Sequence, residues 1–93
     1  MKAPMDAIVE RFPASYHRVI DVLFAGDVSS PCYSIEDTPS GMTVMRAEDG
    51  SPTGVEIPYF CKRFPELPDI IEVDSTEPFS FSVDGLTTYP MKL

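Results

Sequence analysis

The sequence has no tryptophan, asparagine or glutamine, a single histidine and only two cysteines. The missing amides are the side chains that recognise adenine most specifically in DNA. His17, Cys32 and Cys61 are the only soft metal ligands, and a structural zinc site needs four at close spacings. The sequence therefore predicts no metal centre. The glycine-rich phosphate-binding motifs are also lacking, so the sequence predicts no nucleotide cofactor. We expect no other cofactor either.

Basic residues are scarce as well: seven Lys and Arg stand against 15 Asp and Glu, which gives a net charge of −8. A negative protein repels phosphate backbones and anionic lipids, so we expect neither a nucleic-acid nor a membrane partner. No apolar run approaches the roughly 18 residues of a membrane span, and the N-terminal segment lacks the apolar core of a signal peptide. We therefore expect a cytoplasmic protein whose two cysteines are free thiols.

The length of 93 residues limits the hydrophobic core. With 43% apolar residues the chain can form a packed unit, and we treat residues 1–93 as a single domain. A domain of this size buries only about 60% of its unfolded surface. A second subunit would cover apolar surface that one chain leaves exposed, so the small size favours a homodimer.

Ten prolines limit the length of any helix. One short N-terminal helix is predicted over residues 4–12, with Pro4 in its first turn and Pro13 ending it. Apolar patterning predicts a β-rich region over residues 19–84, and residues 85–93 are predicted to be a loose tail. The predicted strands cover residues 19–24, 32–37, 42–47, 53–60, 70–73 and 79–83.

Local signals refine these strands. Glu48-Asp49-Gly50 predicts a tight hairpin turn, because Asp-Gly tolerates positive φ. Pro58 lacks an amide donor and is expected at a strand end or a sheet edge. Cys32 opens a predicted strand and is expected to be buried, whereas the 19–24 strand is apolar on both faces and is expected to be central. The predicted fold class is α+β: a small antiparallel β-sheet of four to six strands with one short N-terminal helix.

Four segments and an acidic residue in a loop, Glu36, form a recognisable series. The segments are Asp21-Val22-Leu23-Phe24, Gly41-Met42-Thr43-Val44, Glu48-Asp49-Gly50 and Gly54-Val55-Glu56-Ile57. Through them, residues 16–64 resemble the YuzE-like small bacterial family of unknown function. The resemblance implies a small antiparallel sheet with little helix, and it carries no activity or catalytic residue.

Aromatic and basic side chains are interleaved over residues 59–64, a composition typical of protein-interaction hot spots. With a net charge of −8, a protein partner is favoured over a nucleic acid. The alternative is a loop that caps the core and leaves its cations in water. The predicted partner-binding residues in this segment are Tyr59, Phe60, Lys62, Arg63 and Phe64. Cys61, beside Lys62 and Arg63, is the predicted reactive thiol.

Residues 66–93 carry six acids and one lysine. Glu72 and Asp74 are the candidates here for contact with a basic protein partner. The alternative is an acidic rim that faces water.

The sequence favours a non-enzymatic interaction or structural module that forms a homodimer through sheet edges or an uncovered apolar face. A second hypothesis is an acidic inhibitor or antitoxin-like protein that blocks a basic partner. A third is a small thiol-dependent hydrolase that uses Cys61 or Cys32 with His17.

Overall fold

The computed structural model describes residues 9–10, 12–27, 31–83 and 85–89, and within these ranges the chain forms nine strands and one short helix. The strands are β1 (Val9–Glu10), β2 (Ala14–His17), β3 (Val22–Gly26), β4 (Ser34–Asp37), β5 (Thr43–Arg46), β6 (Pro52–Pro58), β7 (Ile70–Val73), β8 (Phe79–Ser82) and β9 (Thr87–Tyr89). The helix is α1 (Phe60–Arg63). No helix in these ranges is long and apolar enough to cross a membrane.

The strands form two sheets. The larger has six strands in the order β4-β5-β6-β3-β2-β9, and the smaller has three in the order β1-β8-β7. Hairpin neighbours pair antiparallel, but β2 with β9 and β1 with β8 pair parallel. The prediction of a small sheet-rich fold is confirmed, and that of a purely antiparallel sheet is wrong. The parallel pairs join strands distant in sequence, whose direction no tight turn fixes.

The hydrophobic core lies between the two sheets. The inner face of the large sheet supplies Leu23, Val44, Val55 and Ile57, all with 0% exposure. The small sheet supplies alternate residues from β7 and β8, and these belong to the same buried cluster. They are Ile71, Val73 and Phe81. Because neighbouring residues of a strand point to opposite faces, this packing covers only one side of the large sheet.

Several strand predictions are confirmed. Met42 and Val44 are buried together as their alternation predicts, and the turn at 48–50 joins β5 to β6, with Gly50 at φ 90°. β6 ends at Pro58, and β7 spans the predicted 70–73. The predicted central strand is also correct, because β3 lies between β6 and β2.

Other predictions are wrong in part. The strand predicted to begin at residue 19 begins at Val22, because residues 18–21 form the turn between β2 and β3. The helix over 4–12 lies mostly outside the described residues, but Val9–Glu10 within it pairs with β8 as a strand. The predicted tail contains β9, which pairs with β2. Cys32 is exposed, because β4 starts two residues after it.

The outer face of the large sheet has no described strand or helix packed on it. Ile35 pairs with Met45, and Met45 pairs with Gly54 in the next strand. The Phe24 ring fills the space above Gly54, lying 3.3 Å from where a Cβ would stand. Ile35 is exposed, and Met45 and Phe24 are half-buried. An apolar row therefore runs from β4 towards the centre of the outer face.

Substitution of Gly26 tests the close approach of β3 and β6. Gly26 has a φ of 151°, and an added Cβ would lie 2.5 Å from the Gly54 Cα. We expect Gly26→Ala to lower the free energy of unfolding by about 3 kcal/mol, because strain and overlap add. The control, Gly50→Ala, also has a positive φ but meets no atom within 4 Å. It should cost about 1 kcal/mol in urea denaturation. Equal losses would contradict the assigned contact.

Candidate protein-interaction surfaces

The turn between β2 and β3 is fastened to α1 through Asp21. Asp21 adopts a left-handed backbone with φ 55°, which Asp tolerates better than most residues. Its carbonyl oxygen accepts the Phe60 N–H at 3.0 Å, and its Oδ1 accepts the Cys61 N–H at 2.9 Å. The Tyr16 hydroxyl donates to the same Oδ1 at 2.6 Å. One carboxylate thus fixes the turn, the helix and β2 relative to each other.

The protons of this cluster can be placed from its geometry. Tyr16 has a single hydroxyl proton, and the 2.6 Å contact directs it to Asp21. The Cys61 thiol, 2.9 Å from the same hydroxyl oxygen, is therefore the donor to Tyr16. The Tyr16 hydrogen bond, followed by the Cys61 amide, holds the pKa of Asp21 below its usual value. The same bond to Asp21, and then the contact with Cys61, raises the pKa of Tyr16.

Five exposed side chains at this junction form what we call the turn–helix patch. It consists of Arg18, Val19, Ile20, Tyr59 and Lys62. Val19, Ile20 and Tyr59 are 57%, 61% and 63% exposed. The Lys62 ammonium lies 5.8 Å from the centre of the Tyr59 ring, within the range of a cation–π contact. The Tyr59 backbone also adopts the left-handed conformation, with φ 55°.

The predicted binding segment 59–64 divides into exposed and structural residues. Tyr59 and Lys62 are exposed, but Phe60 is buried at 4% and its ring lies 5.5 Å from Tyr16 and 5.2 Å from Phe64. The Arg63 side chain donates to the carbonyl oxygens of residues 58 and 40 at 2.8 and 2.7 Å. Phe60, Phe64 and Arg63 therefore build the end of the core.

Val19 and Ile20 are apolar and favour a buried strand by residue type, so the sequence does not identify them as surface residues. In the structure the Tyr16 hydroxyl donates to Asp21, five residues later. That pair closes the turn, and the exposed aliphatic residues lie between its two members.

The two acidic candidates have different surroundings. Glu72 is exposed on β7. Asp74 binds Ser40 through both carboxylate oxygens, at 2.9 Å from the amide and 2.6 Å from the hydroxyl. The Ser40 side-chain bond is the main reason that the pKa of Asp74 lies below its usual value. Asp74 therefore joins the β7–β8 turn to the β4–β5 turn, and Glu72 alone projects freely.

A groove of about 690 Å³ lies beside the β7–β8 turn, and its lining includes Glu36, Arg46 and Thr76. Glu36 accepts the Thr76 amide and hydroxyl at 2.7 and 2.8 Å and pairs with Arg46 at 3.0 Å. These bonds, those from Thr76 first, lower the pKa of Glu36. Arg46 also donates to the Gly50 carbonyl. In the described ranges no buried side-chain nitrogen or oxygen lacks a partner. Glu36, Arg46 and Thr76 in the groove are thus bound to one another or to the backbone.

Strand β4 forms one edge of the large sheet and pairs only with β5 among the described strands. Tyr33, which precedes it, and Ile35 within it are 67% and 65% exposed. Glu36 points to the inner face, where Thr76 and Arg46 bind it. We call Tyr33, Ser34, Ile35, Glu36 and Asp37 the β4 edge.

The residues of the thiol-hydrolase hypothesis are Cys61, Cys32 and His17. Cys61 contacts Tyr16, and His17 points to the opposite face of β2 from Tyr16. The exposed Cys32 thiol donates to the Ser34 carbonyl at 3.4 Å. Over the part of the chain that the structure describes, no three His, Cys, Asp or Glu side chains cluster to hold a metal ion.

No protein-family model, no curated protein and no solved structure matches this chain. The resemblance of residues 16–64 to the YuzE-like family therefore stays a prediction.

Replacement of Asp21 tests the junction through pH. Asparagine keeps the left-handed backbone and an Oδ1 acceptor, but not the charge that strengthens both bonds. The Asp21 pKa is lowered from 3.8, so its stabilising effect is complete above that pH and is lost as the pH falls through the folded pKa. We expect Asp21→Asn to melt below wild type at neutral pH, and the difference to disappear as the pH falls through the folded pKa of Asp21.

Thermal denaturation followed by circular dichroism measures this difference. Asp21→Ala, which also removes the acceptor and places alanine at φ 55°, should be less stable than Asp21→Asn at every pH. A wild-type advantage over Asp21→Asn that persists in acid would show that the carboxylate charge does not stabilise the junction.

Proposed function

We propose that the protein is a non-enzymatic interaction module that forms a homodimer through the β4 edge. The observation that carries the proposal is an edge strand that pairs only with β5 among the described strands, with two large apolar residues about two-thirds exposed, Tyr33 just before it and Ile35 within it. Peptide groups along such an edge can hydrogen-bond to another strand. Ile35 begins the apolar row that continues through Met45 and Phe24 on the outer face, and a strand paired with β4 would bring its own side chains against Ile35.

A second copy fits the edge because two-fold antiparallel pairing makes the strand its own partner. With Ile35 on the axis, Tyr33 lies opposite Asp37 and Ser34 lies opposite Glu36. No two carboxylates then face each other directly, and the two isoleucines form a cross-strand apolar pair. Such pairing would extend the six-stranded sheet of each chain into one continuous sheet of the dimer.

The other long edge strand is protected by charge. Glu72 on β7 is exposed, and Asp69 immediately precedes that strand and is exposed as well. Charged side chains on an edge strand oppose pairing with another chain. On β4 the corresponding inner carboxylate, Glu36, is instead bound by Thr76 and Arg46. The β4 edge is therefore the better site for a second copy.

The proposal places the protein in the cytoplasm as a structural or binding unit. The acidic-inhibitor hypothesis stays a prediction that rests on the exposed Glu72, since Asp74 is bound within the fold.

Substitution of Ile35 tests the dimer. We expect wild type to sediment at twice the chain mass of 10.3 kDa at micromolar concentration. Ile35→Lys should raise the dimer dissociation constant about a hundredfold, because the two-fold axis places two lysines against each other and each copy loses its contact. Added salt should strengthen the wild-type dimer, because it screens the repulsion between two chains of charge −8.

Ile20→Lys is the matched control, since Ile20 is 61% exposed and the substitution adds the same charge. It should leave the dimer intact. A wild-type protein that remains a monomer throughout the micromolar range would refute the proposal, and a dimer dissociated by Ile20→Lys but not by Ile35→Lys would move the interface away from β4.

A further inference from the structure

We infer that the turn–helix patch is a second binding surface, and that it receives an acidic, apolar segment of another protein. The patch lies at the junction of α1 with the β2–β3 turn, whereas the proposed dimer uses β4 at the sheet edge. The inference therefore stands independently of the homodimer.

The apolar residues of the patch supply contact area. Val19, Ile20 and Tyr59 each expose more than half of their surface. They lie at one end of the sheet, because the Asp21 carbonyl binds the Phe60 amide between the turn and the helix. Tyrosine surrounded by aliphatic residues is the composition of an interface hot spot.

The patch is held in place before any partner arrives. Asp21 binds Tyr16, Phe60 and Cys61, all within the adjoining core and helix. The Tyr59 backbone carbonyl accepts the amides of Lys62 and Arg63, both at 3.1 Å, which fixes the residue at the start of α1. A surface fixed in this way loses little conformational entropy on binding, and that raises affinity.

The local charge decides the chemistry of the partner. The described residues include four Lys or Arg side chains, of which Arg46 and Arg63 are bound to carboxylate or carbonyl oxygens. The other two, Arg18 and Lys62, are both exposed in the patch, and neither forms an ion pair in the described ranges. Asp21, the carboxylate that joins the turn to α1, already accepts two hydrogen bonds. A partner with carboxylates beside apolar side chains complements this surface.

A short peptide suits the patch better than an anionic membrane does. At physiological salt the Debye length is about 8 Å, so a peptide confined to the patch interacts mainly with Arg18 and Lys62. A membrane is a flat and extended surface, and it would also face the remaining charge of a chain whose net charge is −8. The observations therefore favour the acidic segment.

The test uses fluorescence anisotropy with a labelled peptide of three Glu-Leu-Leu-Glu repeats. Wild type should bind it, and binding should weaken as salt is added. Tyr59→Asn removes the ring while keeping a residue that tolerates the left-handed backbone, and it should weaken binding at least about tenfold. Tyr33→Asn is the matched control, since Tyr33 is 67% exposed on the β4 edge, and it should leave binding unchanged.

A charge exchange provides a second variant. Lys62 is exposed, so the Lys62→Glu variant should keep the fold. It should no longer bind the acidic peptide, and it should bind a peptide with Lys in place of Glu more tightly than wild type does. Failure of the acidic peptide to bind wild type, equal binding by wild type and Tyr59→Asn, or equal binding of both peptides to wild type would overturn the inference. Vesicles containing phosphatidylserine that bind wild type when the peptide does not would overturn it in favour of a membrane surface.

Discussion

One-sided burial is the constraint on which the rest of the structure depends. The three-stranded sheet covers the inner face of the six-stranded sheet, and the seal between them is made by side chains such as Leu23, Ile57 and Phe81 with no exposed surface. The apolar residues of the small sheet are buried in the same cluster as those of the large sheet, so each sheet needs the other to cover its apolar face. No described strand or helix packs on the outer face of the large sheet. The apolar side chains of Ile35, Met45 and Phe24 on that face are therefore left partly or largely exposed.

Hydrogen bonds to carboxylates add to the apolar packing between these parts. Glu36 and Asp74 connect the β4–β5 hairpin to the β7–β8 turn, and Asp21 connects a turn to a helix of only four residues. A helix that short has no stability of its own. Its position is therefore set by the Asp21 bonds and by the burial of Phe60. The same bonds that complete the fold also leave Tyr59 and Lys62 fixed on the surface.

The sequence predicts best where the signal is local. The hairpin at 48–50, the buried pair Met42 and Val44 and the strand at 70–73 follow from alternation and turn chemistry. The parallel pairing of β9 could not be predicted, because it depends on contacts between residues far apart in the chain. The hydrophobicity of Val19 and Ile20 predicts a strand, because it gives no indication of the Tyr16–Asp21 hydrogen bond that spans the turn containing them. In the binding segment, residue types alone do not separate Tyr59, which faces solvent, from Phe60, which packs inward.

The parallel partnership of β2 and β9 has a consequence for how the protein is made. Ser15 pairs with Thr87, so this strand pair closes the loop from residue 15 to residue 87. Loop closure over such a distance is slow relative to hairpin formation, and during synthesis it must wait until the last of these residues has left the ribosome. The hairpins from β3 to β6 have all their residues available earlier. We therefore expect β3 to β6 to pair first and β9 to join the large sheet after them.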